Sequence, residues 1–184
     1  MANFSITNST AIGAGNAQQV LTATYKTIIV IGNSTATSAT NGWAGNRRYK
    51  ITDIIIGTNG APADNAIEWD LVFVTLGTTP SGITGTLISS ISSGFNIDPA
   101  DITFQGAVQI NSTGEVGITN PIERWYLGAN QRASFRDVVN PGQDFVVPAL
   151  SSGSSATGPN AIALRARSIG YTGTVTATIV GSEL

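Results

Sequence analysis

The 184-residue sequence contains no cysteine and no histidine, and only 11% of its residues are charged. Without cysteine there is no disulfide framework and no thiolate metal site. Without histidine a Ser–His–Asp triad cannot form, and the sequence has neither a Gly-x-Ser-x-Gly motif nor a Gly-Lys-Ser/Thr phosphate-binding motif. These absences predict a protein that is not an enzyme and that uses no cofactor and no metal.

The charge balance argues against a nucleic-acid partner, and the uncharged stretches argue against a membrane span. The net charge is −2 and the sequence pI is about 4.9, so the chain offers no overall basic surface for phosphates, and we expect no nucleic-acid partner. The longest uncharged stretch, residues 71–97, is interrupted by Pro80 and several glycines, and the N-terminus lacks a basic, apolar leader. We therefore expect no membrane span and no export.

Alternation of apolar and polar residues with a period of two is the main structural signal. Val175, Ala177 and Ile179 lie on one face of residues 174–179 and threonines on the other, which predicts a half-buried antiparallel strand. In residues 68–76, Trp69 shares an apolar face with Leu71 and Phe73, while the opposite face changes from acidic to apolar. This second strand is expected to enter a sandwich core or to lie under a neighbouring subunit.

Strand-length segments separated by turn residues recur along the whole chain, and one short helical turn is expected at Asp98-Pro99. The pattern predicts a single all-β domain, a sandwich or a barrel. The predicted strands cover residues 20–31, 47–57, 67–77, 86–91, 103–110, 122–128, 132–139, 143–147, 160–168 and 173–181.

Acidic and basic side chains share faces of several predicted strands. Glu68 and Asp70 lie two apart, and two further acid pairs lie beside turns, at positions 98 and 101 and at 137 and 144; all fit a structural or solvated role better than a glycosidase or Ca²⁺ site. The arginines are interface candidates or surface residues, because arginine binds carboxylates through two parallel hydrogen bonds. They form two same-face pairs, Arg132 with Arg136 and Arg165 with Arg167, and the acids proposed as their partners are Glu123, Asp137, Asp144 and Glu183.

The three tryptophans separate a core position from possible contact positions. Trp69 is expected in the core, and Trp125 beside Tyr126 in the core or at an interface. Trp43 stands in the polar loop Asn41-Gly-Trp-Ala-Gly-Asn46 and is the exposed aromatic residue expected of a sugar-binding site. A carbohydrate- or receptor-binding β-sandwich of the fibre or lectin type is therefore the main alternative function, ahead of a hydrolase.

Three segments of the chain resemble a family of tailed-bacteriophage head decoration proteins. They are Glu68-Trp-Asp-Leu-Val-Phe-Val-Thr-Leu-Gly-Thr-Thr79, Leu127-Gly-Ala-Asn-Gln-Arg-Ala-Ser-Phe-Arg136 and the strands within residues 160–179. The resemblance implies a jelly-roll β-sandwich that forms a homotrimer and acts as a cement protein for the major capsid protein. It further implies assembly in the host cytoplasm and a place on the outer surface of the virion.

The first 20 residues and the loop at residues 32–46 depart from that family pattern. Residues 1–19 are predicted to be an extended N-terminal arm, followed by the sandwich domain at residues 20–184. The segment is rich in Asn, Ser, Thr and Gly and has too little apolar surface to fold alone. We therefore expect the arm to become ordered only against a partner. By analogy with the family, that partner is the capsid shell.

Overall fold

The computed structural model describes residues 3–8, 18, 20–32, 48–59, 65–74, 86–88, 97, 107–111, 118–128, 134–139, 145–147 and 161–184. Within these ranges the chain forms β-strands and no helix. The strands are β1 (Asn3–Thr7), β2 (Lys26–Gly32), β3 (Tyr49–Thr58), β4 (Ala66–Val74), β5 (Thr86–Ile88), β6 (Ala107–Ile110), β7 (Ile118–Gly128), β8 (Ser134–Val138), β9 (Phe145–Val147), β10 (Ala161–Arg167) and β11 (Val175–Glu183).

The strands form two antiparallel sheets that pack as a sandwich. One sheet has five strands in the order β1-β11-β3-β8, with β9 also paired to β3, and the other has six strands in the order β5-β6-β2-β10-β4-β7. The predicted all-β antiparallel sandwich is thus confirmed, and each of the ten predicted strands has a counterpart. The helical turn expected at residues 98–99 lies outside the described residues. No helix in the described ranges is long and apolar enough to cross a membrane.

The main core lies between the two sheets, and isoleucine is its most frequent residue. Both sheets contribute to one cluster, for example Ile54 and Ile56 from β3 and Ile29 and Ile31 from β2. Trp69 belongs to this cluster and is fully buried, as the sequence predicts. The branched and aromatic side chains that favour strands therefore also supply the apolar area that holds the sheets together.

The alternation in β11 has the consequence expected from the sequence. Val175, Ala177 and Ile179 are buried in the core, while the threonines between them are half-exposed on the outer side. The bulge between Val180 and Gly181 then shifts the register against β3. A side chain at Gly181 would collide with the backbone oxygen of Lys50, so only glycine fits at this bulge.

The prediction of an N-terminal arm needs correction at residues 3–8. Asn3–Thr7 form β1, which pairs with β11 as an edge strand of the five-stranded sheet. Phe4 lies opposite Gly181 and is fully buried with Ile6 in the core. Two apolar side chains spaced two apart are therefore enough to anchor this segment within its own chain. Residues 9–17 and 19 of the predicted arm lie outside the described residues.

A buried pair of asparagines ties the end of β1 to the opposite sheet. Asn8 accepts a hydrogen bond from the Ala177 backbone N–H at 2.8 Å and donates to the Val175 carbonyl at 2.9 Å. It also donates to Asn111 Oδ1 at 3.1 Å, and the Asn111 amide donates back to the Asn8 carbonyl at 2.9 Å. Asn111 follows β6 with φ at 50°, a left-handed conformation that asparagine tolerates. The two side chains thus satisfy backbone groups of β11 and of Asn8, while the Asn111 backbone N–H donates to the Ile28 carbonyl of β2 at 2.9 Å.

Asn8→Ala is expected to lower the free energy of unfolding by about 3 kcal/mol, because it leaves buried backbone groups of β11 without partners. The measurement is urea unfolding followed by tryptophan fluorescence. Thr178→Ala on the outer side of β11 is the control, with an expected change below about 1 kcal/mol. Equal unfolding midpoints for Asn8→Ala and the unchanged protein would contradict this role of Asn8.

Candidate functional site

The outer face of the six-stranded sheet carries a row of charged side chains that face one another across β4 and β10. In the strand register, Arg165 lies directly opposite Asp70 and Arg167 directly opposite Glu68. The two pairs are neighbours on the same face because residues two apart in a strand point the same way. Together with Tyr25, which precedes β2, these four residues form what we call the ion-pair ladder.

The two pairs of the ladder differ in their exposure to solvent. Arg165 Nη2 contacts Asp70 Oδ2 at 2.5 Å, and both side chains are more than nine-tenths buried. Arg167 donates from Nε and Nη2 to Glu68 Oε2 at 2.9 and 2.7 Å, and 42% of its side chain remains exposed. The ladder therefore runs from the interior of the protein to its surface.

Tyr25 connects the two pairs. The guanidinium carbons of Arg165 and Arg167 lie 4.3 and 4.6 Å from the centroid of its ring, and its hydroxyl donates to Glu68 Oε1. Cations are attracted to the face of an aromatic ring, and this attraction strengthens where water is excluded. Tyr25 thus holds both arginines in fixed positions without adding charge.

Beyond the ladder, the same outer face is apolar and is also buried within the chain. Val72 and Val74 of β4 pack with Val30 and with Ala161 and Ala163 of β10 in a second cluster. The sequence predicted that β4 becomes apolar on both faces, and this is confirmed. This outer-face cluster is separate from the core between the sheets, and its residues are already buried in the single chain.

A surface cleft of about 410 Å³ opens at the exposed end of the ladder, and we call it the end cleft. Its lining includes the side chains of Ala23, Asn65, Ala66, Glu68, Arg167 and Ile169. Ile169 is 93% exposed at the rim. The cleft therefore combines a fixed ion pair, a carboxamide and a few small or apolar walls.

The turn after β10 fixes the floor of the end cleft. Ser168 is buried; its hydroxyl donates to the Ala66 carbonyl at 2.8 Å and accepts from the Tyr171 N–H at 3.1 Å. A side chain at Gly170 would overlap the Asn65 carboxamide, so glycine allows that carboxamide to lie against the turn. The position of Asn65 in the cleft thus follows from the absence of a side chain at position 170.

The outer face of the five-stranded sheet has a different character, and we call it the open face. Its described residues are half-exposed or exposed except for Asp53 and Gly57. They are chiefly hydroxyl-bearing or aliphatic: Ser5, Thr7, Ile55, Ser134, Val138, Thr176, Thr178, Val180 and Ser182. Asp53 accepts hydrogen bonds from Arg136, from Nε at 2.8 Å and also from Nη2. These hydrogen bonds, with the charge of Asp53, raise the pKa of the Arg136 guanidinium.

The structure describes three of the arginines singled out as interface candidates. Arg136 is exposed on the open face, Arg167 is half-exposed at the end cleft, and Arg165 is buried inside the chain. Within the chain they pair with Asp53, Asp70 and Glu68, three acids that were not among the partners expected from the sequence. The side chains of Glu123 and Asp144 lie outside the described residues. Arg132 lies outside the described residues.

The aromatic candidates are less fully described. Trp125 and Tyr126 lie in β7, where their backbones pair with Trp69 and Glu68 of β4. Trp43, the loop residue expected in a sugar site, lies outside the described residues. The structural role expected for Glu68 and Asp70 is confirmed by their ion pairs. Among the described residues no three acidic side chains converge to hold a metal ion.

Sequence reasoning missed Tyr25, Asn65 and Asp53. Tyr25 falls within the strand predicted at residues 20–31, although it lies just before β2 and its ring contacts the arginines of the ladder. Asp53 lies within a run of isoleucines, and that isolated charge in an apolar strand was the available signal that it needs a partner. Asn65 carried no such signal, because its position depends on a glycine 105 residues away in the sequence.

Comparison with known proteins adds no assignment. No family model matches the chain, and no curated protein matches its sequence. Any function therefore has to be argued from the fold and from the surfaces described above.

The Arg165–Asp70 pair is expected to show strong coupling in a double-mutant cycle. Asp70→Leu or Arg165→Met alone leaves a buried charge without its partner and should cost about 3–5 kcal/mol. The double variant should lose much less than the sum, because both charges are gone. The measurement is the free energy of urea unfolding at low and high salt, with Arg136→Met at the exposed pair as a salt-sensitive control of smaller effect. Strictly additive losses would contradict the pairing.

Tyr171 is expected to make the free energy of unfolding decrease at alkaline pH. Its hydroxyl donates to the Thr174 carbonyl at 2.9 Å, and burial raises its pKa above the ordinary value of about 10. Above that pH the unfolded chain loses a proton that the folded chain keeps, so this contribution to stability is complete below about pH 10 and is lost as the pH rises through the folded pKa.

Tyr171→Phe removes this titration and is expected to lose about 1 kcal/mol at pH 8, where only the hydrogen bond matters. Urea unfolding of both proteins should be compared at pH 8 and at about pH 10.5, just above the ordinary tyrosine pKa. The difference in the free energy of unfolding between the unchanged protein and Tyr171→Phe should be smaller at the higher pH. A constant difference would show that Tyr171 does not titrate differently in the folded state.

Proposed function

We propose that this chain is a structural protein of a bacteriophage particle, a decoration protein that binds and stabilises the lattice of the major capsid protein. The proposal combines the resemblance of the strand segments with the fold and with the character of one sheet face. It places the protein on the outer surface of the virion, after assembly in the host cytoplasm.

The order of the strands supports a jelly roll. When β5, β6 and β9 are set aside, eight strands remain, and one sheet holds the first, eighth, third and sixth of them. The other sheet holds the second, seventh, fourth and fifth. This alternation between sheets is that of two interlocked Greek keys, the architecture of many viral capsid and lectin domains. Because the same fold serves several functions, a capsid protein and a lectin have to be distinguished by their surfaces.

The open face is the observation that carries the proposal. The outer face of the six-stranded sheet is covered around β2, β4 and β10, whereas the open face presents serine, threonine and aliphatic side chains to solvent. Charged residues are depleted at the centres of protein interfaces, and the charges described here are the Asp53–Arg136 pair and Lys50. A broad, nearly neutral sheet face fits a protein that acts by covering another protein surface.

Three of the edge strands, β5, β7 and β8, are poorly suited to such contacts, which favours the face. The edge strand β8 carries Asp137 on its core side, β5 has only three residues, and β7 contains Pro121 and faces two bulges. Inward charges, short strands, proline and bulges are features that prevent edge-to-edge pairing. Binding through the open face leaves these protected edges unused.

The homotrimer remains a prediction, and the structure changes which residues could test it. Arg165 is paired inside the chain, so its substitution would report on folding. Arg136 lies on the open face and is the better probe. If protomers meet there, Arg136→Ala should lower the oligomer mass in a salt-dependent manner, measured by light scattering.

The direct test is binding to virus particles. Mass spectrometry of purified virions of the phage that encodes the chain should detect it in many copies. Particles stripped of it should bind the purified protein again and gain resistance to heat. Absence of the chain from virions would contradict the proposal.

A charge on the open face should weaken that binding. Thr178→Glu places an unpaired carboxylate in the interface, where its desolvation costs about 1–3 kcal/mol or more, and binding to stripped particles should fall at least about tenfold. Thr24→Glu, an identical change at an exposed position away from the open face, is the matched control and should bind normally. Equal binding by both variants would exclude the open face as the contact.

A further inference from the structure

We propose that the end cleft is a binding site for an uncharged saccharide. The cleft lies beside the six-stranded sheet, away from the open face. Ligand binding there does not depend on whether the chain decorates a capsid. Its volume of about 410 Å³ falls in the range of about 300–1,000 Å³ typical of small-molecule sites.

The polar groups of the cleft are fixed before any ligand arrives. Arg167 is held by two hydrogen bonds to Glu68 and by the face of Tyr25, yet 42% of its side chain is exposed. Glu68 is held in turn by Arg167 and by the Tyr25 hydroxyl. Groups that are already ordered lose little conformational entropy on binding.

Asn65 supplies both a donor and an acceptor at the same place. Its carboxamide lies against Gly170 and makes no hydrogen bond with the described residues. An amide positioned by packing in this way, and not by internal hydrogen bonds, keeps its oxygen and its NH₂ group for a ligand. Hydroxyl groups are suitable partners, because each can donate to one group of the cleft and accept from another.

The charge balance selects the chemical class of the ligand. Among the described residues that line the cleft, the charged ones are Arg167 and Glu68, and they pair directly, so their charges balance. An anionic ligand that approaches Arg167 also meets Glu68, and a cationic ligand that approaches Glu68 also meets Arg167. A neutral ligand with several hydroxyls is repelled by neither charge, and its hydroxyls can accept from Arg167 and donate to Glu68.

The walls of the cleft match the less polar side of a sugar ring. Ala23 and Ala66 leave room for a ring, and Ile169 stands 93% exposed at the rim. A large exposed aliphatic side chain beside polar groups gains free energy when the C–H face of a ligand covers it. A saccharide presents both surfaces, hydroxyl edges and apolar ring faces, within one small molecule.

The test is a glycan array carrying neutral and charged saccharides, followed by titration of the best neutral ligand by NMR. At least one neutral glycan should bind, and sialylated or amino sugars should bind no better. Asn65→Asp keeps the shape of the side chain but removes two donors and adds a negative charge beside Glu68. It should weaken binding at least about fivefold, as expected for one lost hydrogen bond.

Two further variants separate this site from general effects on folding. Gly170→Ala displaces the Asn65 carboxamide without removing it and should weaken the same glycan, while circular dichroism shows the fold intact. Thr178→Ala on the open face should bind the glycan normally. The proposal is overturned if no neutral glycan binds, if charged glycans bind better, or if both cleft variants bind as the unchanged protein does. None of these results affects binding to virus particles, which depends on the open face.

Discussion

The ion pair between Arg165 and Asp70 is the constraint on which the six-stranded sheet depends. Both side chains lie in a face that the chain itself buries, so removal of either one would leave a buried charge without this partner. A shift of β10 by one residue against β4 would turn both arginines toward the isoleucine core and separate them from their partners. The pair thus specifies the register of the two strands, and through Tyr25 it also fixes the exposed pair of Arg167 and Glu68.

This constraint gives the two sheets different outer surfaces. The ladder and the second apolar cluster occupy the outer face of one sheet inside the chain, and only the end of the ladder reaches solvent, at the end cleft. The other sheet leaves a face of serine, threonine and aliphatic residues for contact. The proposed saccharide site and the proposed contact surface therefore share none of their described residues. The asparagine pair of Asn8 and Asn111 keeps the sheets in their relative positions.

Much of the fold could be predicted from the sequence, since alternation with a period of two located the strands and, in residues 68–76 and 174–179, the face that enters the core. The pattern did not predict β1, because two apolar residues among Asn, Ser and Thr give too weak an alternation. The contact that anchors β1 is between the Phe4 ring and Gly181, where a larger residue would leave no room for the ring. Alternation also placed Arg165 and Arg167 correctly on one strand face, but it did not predict that they pair with Asp70 and Glu68. These partners lie 95 and 99 positions away in the sequence and are brought close by the pairing of β4 with β10. Contacts over such distances depend on topology, which local periodicity does not specify.

The central claim is that the chain acts through the open face as part of a virion. It is tested most directly by a density map of the intact particle at a resolution that shows side chains. The account predicts the sandwich on the outer surface of the capsid, with Thr178 and Val180 of β11 buried against a neighbouring subunit and the end cleft facing solvent. A particle that lacks the chain, or that contains it with the open face exposed to solvent, would contradict the account.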